Sequence, residues 1–253
     1  MTNTKDAIIQ EHKTLDGKVL KIAMYDNNGS HKYSLKEPHQ EKFGELSPSV
    51  TSLIKRIDDS FSAGMAWTIY EAKRTGVPEQ ASLTSEEAIK SGIAFHQRVE
   101  DYINYGTIDP DDDMFMAFYK EIGKDTNWVA SEVFCYDRTF NYGGTIDAIS
   151  FDGVQYTVWD FKTKNDKTYR RNWYYPKDRA QLSAYARALM NMQSSYYPVM
   201  EAKIVYVMRD SPLVEVQSFN LGDYISLFER TWKFNNHIQS LAKNKTKVFR
   251  LGE

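Results

Sequence analysis

A chain of 253 residues with 42% hydrophobic and 26% charged residues is long enough for one large domain, or a core with an accessory subdomain, and has the composition of a globular protein. Its net charge of -2 excludes a general attraction to nucleic acid, so any such partner has to be held by a local patch. The single cysteine, Cys135, excludes an intramolecular disulfide framework, a four-cysteine zinc site and a four-thiolate iron-sulfur cluster, and it points to a reducing compartment.

The first predicted element is a β-ribbon in "KVLKIAMYDNNGSHKYSL" (18–35), where two β-prone runs flank Asn27, Asn28 and Gly29, residue types that tolerate positive φ in a tight turn. Ser47-Pro48-Ser49 opens a mostly helical stretch that closes at Gly76-Val77-Pro78,. Thr84-Ser85-Glu86-Glu87 fits a capping box and predicts a helix from there to about Gly106,. "DPDDDMFMAFYKEIGK" predicts another helix, with Asp109 to Asp113 at its amino end, where acidic side chains complement the dipole. Strands follow at about 128–136, 142–151 and 154–161, the last two joined at Asp152-Gly153,. A polar, aromatic loop then leads to a helix near 177–192, strands near 202–208 and 213–219, and a final helix over about 221–241. No apolar run approaches the length of a membrane span, and a cytoplasmic protein of a bacterial or phage-infected cell is expected.

The stretch "GGTIDAISFDGVQYTVWDFKTK" (143–164) concentrates the chemistry. Asp147 falls in the middle of one predicted strand and Asp160 near the end of the next, so the hairpin can bring both carboxylates to one side, with Lys162 on the face of Asp160. Converging carboxylates repel unless a cation lies between them, and Mg2+ and Mn2+ prefer such oxygen ligands. A neighbouring lysine can orient or deprotonate a water, or stabilise charge on a phosphate oxygen. A solvated hairpin with an ion pair across one face is the alternative.

Four motifs follow one another along the chain: "GIAFH" at Gly92 to His96, "GGTID" at Gly143 to Asp147, "DFK" at Asp160 to Lys162 and "QLSAY" at Gln181 to Tyr185. In this order they resemble the RecB-like branch of the PD-(D/E)xK nuclease superfamily. The flanking "LSPSVTSLIKRI" and "YPKDRAQLSAYARAL" are similar to the mitochondrial genome maintenance exonuclease family and its phage-encoded relatives. The resemblance implies an α/β fold with an αβββαβ core, in which helices flank a mixed central sheet. Residues 1–83 would form an N-terminal hairpin and helical extension, and residues 84–253 the core with a C-terminal strand and helix. It implies a DNA exonuclease acting from free ends on a single-stranded path and using one or two Mg2+ or Mn2+ ions. His96, Asp147, Asp160 and the main-chain carbonyl of Phe161 would be ligands, Lys162 the catalytic lysine, and Gln181 and Tyr185 would position substrate and lysine. Asp160 stands where many members carry glutamate. An endonuclease of the same superfamily, or a non-catalytic DNA-binding module in a recombination or repair complex, is the alternative.

A neutral imidazole suits Mn2+ better than Mg2+, and Gln181 and Tyr185, four residues apart, share one helical face. Glu100, one turn after His96, either supports the site or is an exposed charge. Glu132 either reaches the metals through water or is a simple edge carboxylate. Asp109 to Asp113 lacks the spacing of a calcium loop and reads as a helix cap. "KTKNDKTYRRNWYYPKDR" (162–179) interleaves cations with rings, a mixture that suits single-stranded DNA because cations track phosphates and rings stack on bases. This marks Lys164, Arg170, Arg171, Trp173 and Tyr174 as candidate contacts. Ser49 and Thr51 are candidate phosphate donors at a helix start.

Overall fold

The computed structural model describes residues 7–13, 17–27, 30–54, 78–166, 169, 176–192 and 199–243. It is a mixed α/β protein with two sheets. The N-terminal sheet is antiparallel in the order β1-β2-β3-β4, with β1 Ala7–Lys13, β2 Val19–Asn27, β3 Ser30–Lys36 and β4 Ser47–Pro48. Asn27 pairs with Ser30, so the predicted ribbon is present. It is widened by β1, which the sequence reading missed. β1 is an edge strand with mostly exposed side chains, so burial imposes no alternation on it.

The second sheet runs β5-β6-β7-β8-β9, with β5 Trp128–Asp137, β6 Tyr142–Phe151, β7 Tyr156–Lys164, β8 Val199–Met208 and β9 Val214–Ser218. Only β7 and β8 are parallel. The described helices are α1 Val50–Ile54, α2 Pro78–Tyr105, α3 Asp113–Phe118, α4 Pro176–Asn191 and α5 Leu221–Lys243, and a π-helical turn over Tyr119–Gly123 follows α3. Helix α4 lies in the connection that the parallel β7–β8 pair requires.

Alternation along the central strands separates two layers. Phe95, Val99, Phe115 and Phe118 from α2 and α3 pack with Trp159, Phe161, Val205 and Val207. Val158, Ile204 and Tyr206 instead join Leu182, Ala184 and Leu189 of α4 and Phe228 of α5, as the two-residue period of a strand demands. The N-terminal sheet adds Leu20, Ile22 and Tyr33 to this second layer and touches β6 through a bridge between Ser49 and Gly143.

Two of the boundaries that differ from the sequence reading bear on the site. Helix α2 starts at Pro78 rather than Thr84, because proline suits the first helical position, where its missing N–H costs nothing; the helix therefore crosses the boundary expected at residue 83. Strand β7 continues to Lys164, since β8 pairs with it as far as Lys164 and Met208. Beyond Ile54, the helical stretch predicted up to Gly76 lies outside the described residues. Among the described residues, no helix is long and apolar enough to cross a membrane.

Candidate metal centre

Three acidic residues occupy successive strands in one row. The pairs Ser131–Ala148 and Val133–Ile146 bracket Glu132 and Asp147, and the pairing of β6 with β7 ends at Ala148–Trp159, one position before Asp147 and Asp160. There the Asp147 Oδ2 accepts the backbone N–H of Phe161 at 2.7 Å. A side chain thus takes the backbone's place as partner, and the ladder stops at the acid. Glu132 lies in the left-handed region, φ 49°, a conformation costly for a non-glycine residue and frequent at functional sites.

His96 reaches this row from α2. A Cβ at Gly92 would come within 3.3 Å of the Thr163 hydroxyl, so the glycine lets the helix lie close against β7. One turn later the His96 Nε2 stands 2.9 Å from the Phe161 carbonyl oxygen. A carbonyl can only accept, so this contact puts a proton on Nε2 and makes Nδ1 the nitrogen whose lone pair can ligate a cation. Nδ1 lies 3.7 Å from the Asp147 Oδ2. Ligand atoms of His96, Glu132 and Asp147 all fall within 4.8 Å of one another, and one imidazole with two carboxylates is a donor set that fits a divalent cation. The proton donated to a carbonyl from the far ring nitrogen is the usual support of a ligating histidine.

This group and the expected ligand set share His96 and Asp147. Asp160 is outside the group. Its side chain is 1% exposed and both its oxygens lie within 2.7 Å of the Lys162 ammonium, because residues two apart on a strand share a face. The Phe161 carbonyl holds His96. Glu132, foreseen at most as a water-mediated neighbour, belongs to the group. The signal that could have found it is hairpin symmetry: with Asp137 paired to Tyr142, Glu132 and Asp147 lie five residues out on either side.

Electrostatics separate the two carboxylate neighbourhoods. Burial, then Asp147 and Glu100, push the Glu132 carboxyl up to about 8. Burial also raises Asp160, against the pull of Lys162. For Lys162 burial alone would favour the neutral amine, but Asp160, Asp147 and Asp178 outweigh it and hold the ammonium. Tyr206 donates to Asp178 at 3.2 Å beside this pair. From α4 the Gln181 amide donates to the Tyr185 hydroxyl at 3.0 Å, so the predicted common face exists. Tyr185 lies against β6 where a Cβ at Gly144 would be 2.2 Å from its ring.

The centre opens on a cleft of about 1140 Å³ between the N-terminal sheet, the start of α1, α2 and the β5–β6 pair. Ser49 and Thr51 line it. The Ser49 hydroxyl also accepts the Ser52 N–H at 3.2 Å and is 2.8 Å from the Ser52 hydroxyl, so it caps α1. Glu100 lines the cleft and accepts from Gln97. Lys164 sits at the end of β7 rather than in a loop, and burial lowers its pKa. Arg170, Arg171, Trp173 and Tyr174 lie outside the described residues. The acidic run caps α3 as expected: Asp112 accepts from the Phe115 N–H at 2.7 Å, and Asp109 and Asp112 pair with Arg98 at 2.7 and 3.2 Å. Asp152 accepts from the backbone N–H groups of Val154 and Gln155, each at 2.8 Å, as a turn residue does.

No family model and no curated protein matches the chain. Among solved structures, the crystal structure of SSO0001 is similar to it at 14% identity, covering 83% of this chain and 82% of that one, with a TM-score of 0.36.

Proposed function

We propose that this chain is a metal-dependent deoxyribonuclease with a PD-(D/E)xK core of the RecB-like type, hydrolysing phosphodiester bonds from free DNA ends with Mg2+ or Mn2+. The observation that carries the reading is the juxtaposition, where β6 and β7 part, of a His96–Glu132–Asp147 group with a buried Asp160–Lys162 pair. His96, Asp147 and Glu132 would hold the ion. When bound, a divalent cation supplies Lewis-acid polarisation of the phosphodiester and acidifies water. Lys162, kept as an ammonium by the carboxylates around it, donates to the oxygen on which charge develops; it has no lone pair with which to act as the base. Asp160 aims that ammonium, and Phe161 fixes the imidazole tautomer through its carbonyl. Among the described residues, the cleft lining mixes hydroxyls with Ile8, Met24, Ile93 and Phe134. Such hydroxyls and apolar side chains suit the bases of a single strand.

Asp160 lies outside the metal group, and this favours a second reading, a DNA-binding module without turnover. One assay decides between them. Wild type, Asp160→Ala and Lys162→Ala are incubated with linear single-stranded, linear duplex and covalently closed circular DNA, with Mg2+, Mn2+ or chelator. The nuclease reading expects metal-dependent loss of linear DNA by the wild type only. An inactive wild type, or variants that match it, overturns that reading, and cutting of closed circles moves the assignment to an endonuclease.

A further inference from the structure

Glu132 cannot make the ordinary ladder contacts of β5. Its φ of 49° turns its peptide units out of the strand plane, and the Glu132–Asp147 position is missing from an otherwise regular run of pairs from Ala130–Ile149 to Asp137–Tyr142. Backbone groups that leave a ladder need other partners when they are taken from water. They find them in one side chain of the other sheet: the Gln10 amide on β1 donates from Nε2 to the Glu132 carbonyl at 2.6 Å, and its Oε1 accepts the Phe134 N–H at 2.7 Å. A single primary amide so spans Val133 and fixes the peptide that leaves the turned residue on its C-terminal side, offering a donor and an acceptor as a neighbouring strand would. Gln10 itself lies on the cleft wall, 122 residues away in sequence from the residue it holds.

We infer that Gln10 is a positioning residue of the metal centre: it holds Glu132 in the left-handed conformation that aims its carboxylate at His96 and Asp147. The N-terminal sheet is then part of the centre and not an appendage beside it. The inference rests on this group holding a metal, and is independent of what the protein cleaves.

The test is Mn2+ affinity of the full-length, metal-stripped protein, measured by calorimetry and by loss of the free-ion paramagnetic signal, with MnCl2 as the only ligand. Gln10→Ala is expected to weaken Mn2+ binding about tenfold, the size of effect typical of a residue that orients a ligand. In a Glu132→Gln background the same change is expected to have less than about a twofold effect, since there is no ligating carboxylate left to aim. A general loosening of the fold would weaken binding equally in both backgrounds, and that result overturns the inference. So does an unchanged affinity in Gln10→Ala, or in Glu132→Gln itself. Should Gln10→Ala fail to fold by circular dichroism, Gln10→Met carries the same cycle, because it keeps the length of the side chain, adds no charge and loses both hydrogen bonds. A protein with this coupling that cleaves no DNA upholds the positioning role and overturns the nuclease.

Discussion

Asp147 and Asp160 are the same residue type on adjacent strands of one hairpin, one position past its last pair, yet they meet opposite surroundings. Asp147 keeps 15% of its side-chain exposure and stands at the cleft among His96, Glu132 and the Phe161 N–H. Asp160 is 1% exposed and bound to Lys162, on the side of the sheet where Tyr206 and α4 pack. Position in the row therefore does not decide a carboxylate's work; its depth and its nearest partners do. The α2 side supplies an imidazole and open space, which leaves the carboxylate accessible from the cleft. The α4 side supplies apolar packing, and Lys162 supplies the charge that such a buried anion needs.

Removing either acid breaks this comparison most directly. Asp160→Ala leaves the Lys162 ammonium without its partner, so a loss of about 3 kcal/mol in urea unfolding is expected, the low end for a broken buried pair, since Lys162 keeps 24% of its exposure. Asp147→Ala removes one acceptor from the Phe161 N–H, and about 1 kcal/mol is expected. Mn2+ binding should reverse the ranking, with the larger loss in Asp147→Ala. Replacing both partners, Asp160→Asn with Lys162→Met, should recover part of the stability while leaving hydrolysis absent. Equal costs for the two single variants would show that the two surroundings do not differ as argued.

Much of this contrast was legible in the sequence. The hairpin, the alternation that puts Lys162 beside Asp160, and the Gln181–Tyr185 face all follow from strand and helix periods, because those elements are long and half-buried. What was not legible depended on partners distant in sequence. Nothing near Gln10 announces that its amide serves Glu132, and β1, an exposed edge strand, carries no alternating signal. The metal role of Glu132 was hidden because a strand glutamate is ordinarily an edge charge; only its register against Asp147 lifts it out of that class.

Gly143 and Gly144 sharpen the comparison, because neighbouring glycines on β6 receive rings from different elements. A Cβ at Gly143 would fall 2.3 Å from the Tyr33 ring and one at Gly144 2.2 Å from the Tyr185 ring. Each glycine-to-alanine change is expected to cost about 1–3 kcal/mol in thermal or urea unfolding, as overpacking does. Their side effects should differ. Gly143→Ala displaces Tyr33, whose hydroxyl is 2.9 Å from the Thr145 hydroxyl, and should loosen the N-terminal sheet, read as faster amide exchange in β1 to β3. Gly144→Ala displaces Tyr185 and should act on α4 and the Lys162 side.

The last expected effect is one of pH, and it distinguishes the two sides without removing an atom from either backbone. Glu132 is held protonated up to about 8, so a metal must displace a proton to use it. Mn2+ affinity should then fall by up to about tenfold for each pH unit below 8, and Glu132→Gln should flatten that slope. In the metal-free protein the sign is opposite for stability. A carboxyl whose folded pKa lies above its ordinary value stabilises fully at acid pH and loses that contribution as pH rises through about 8,. Glu132→Gln, which keeps the shape and cannot ionise, should therefore gain on wild type in melting temperature between pH 5 and pH 9. A wild type that gains on the variant over that range would place the glutamate as an ordinary exposed charge, and the cleft side of the row would lose the feature that sets it apart from the buried one.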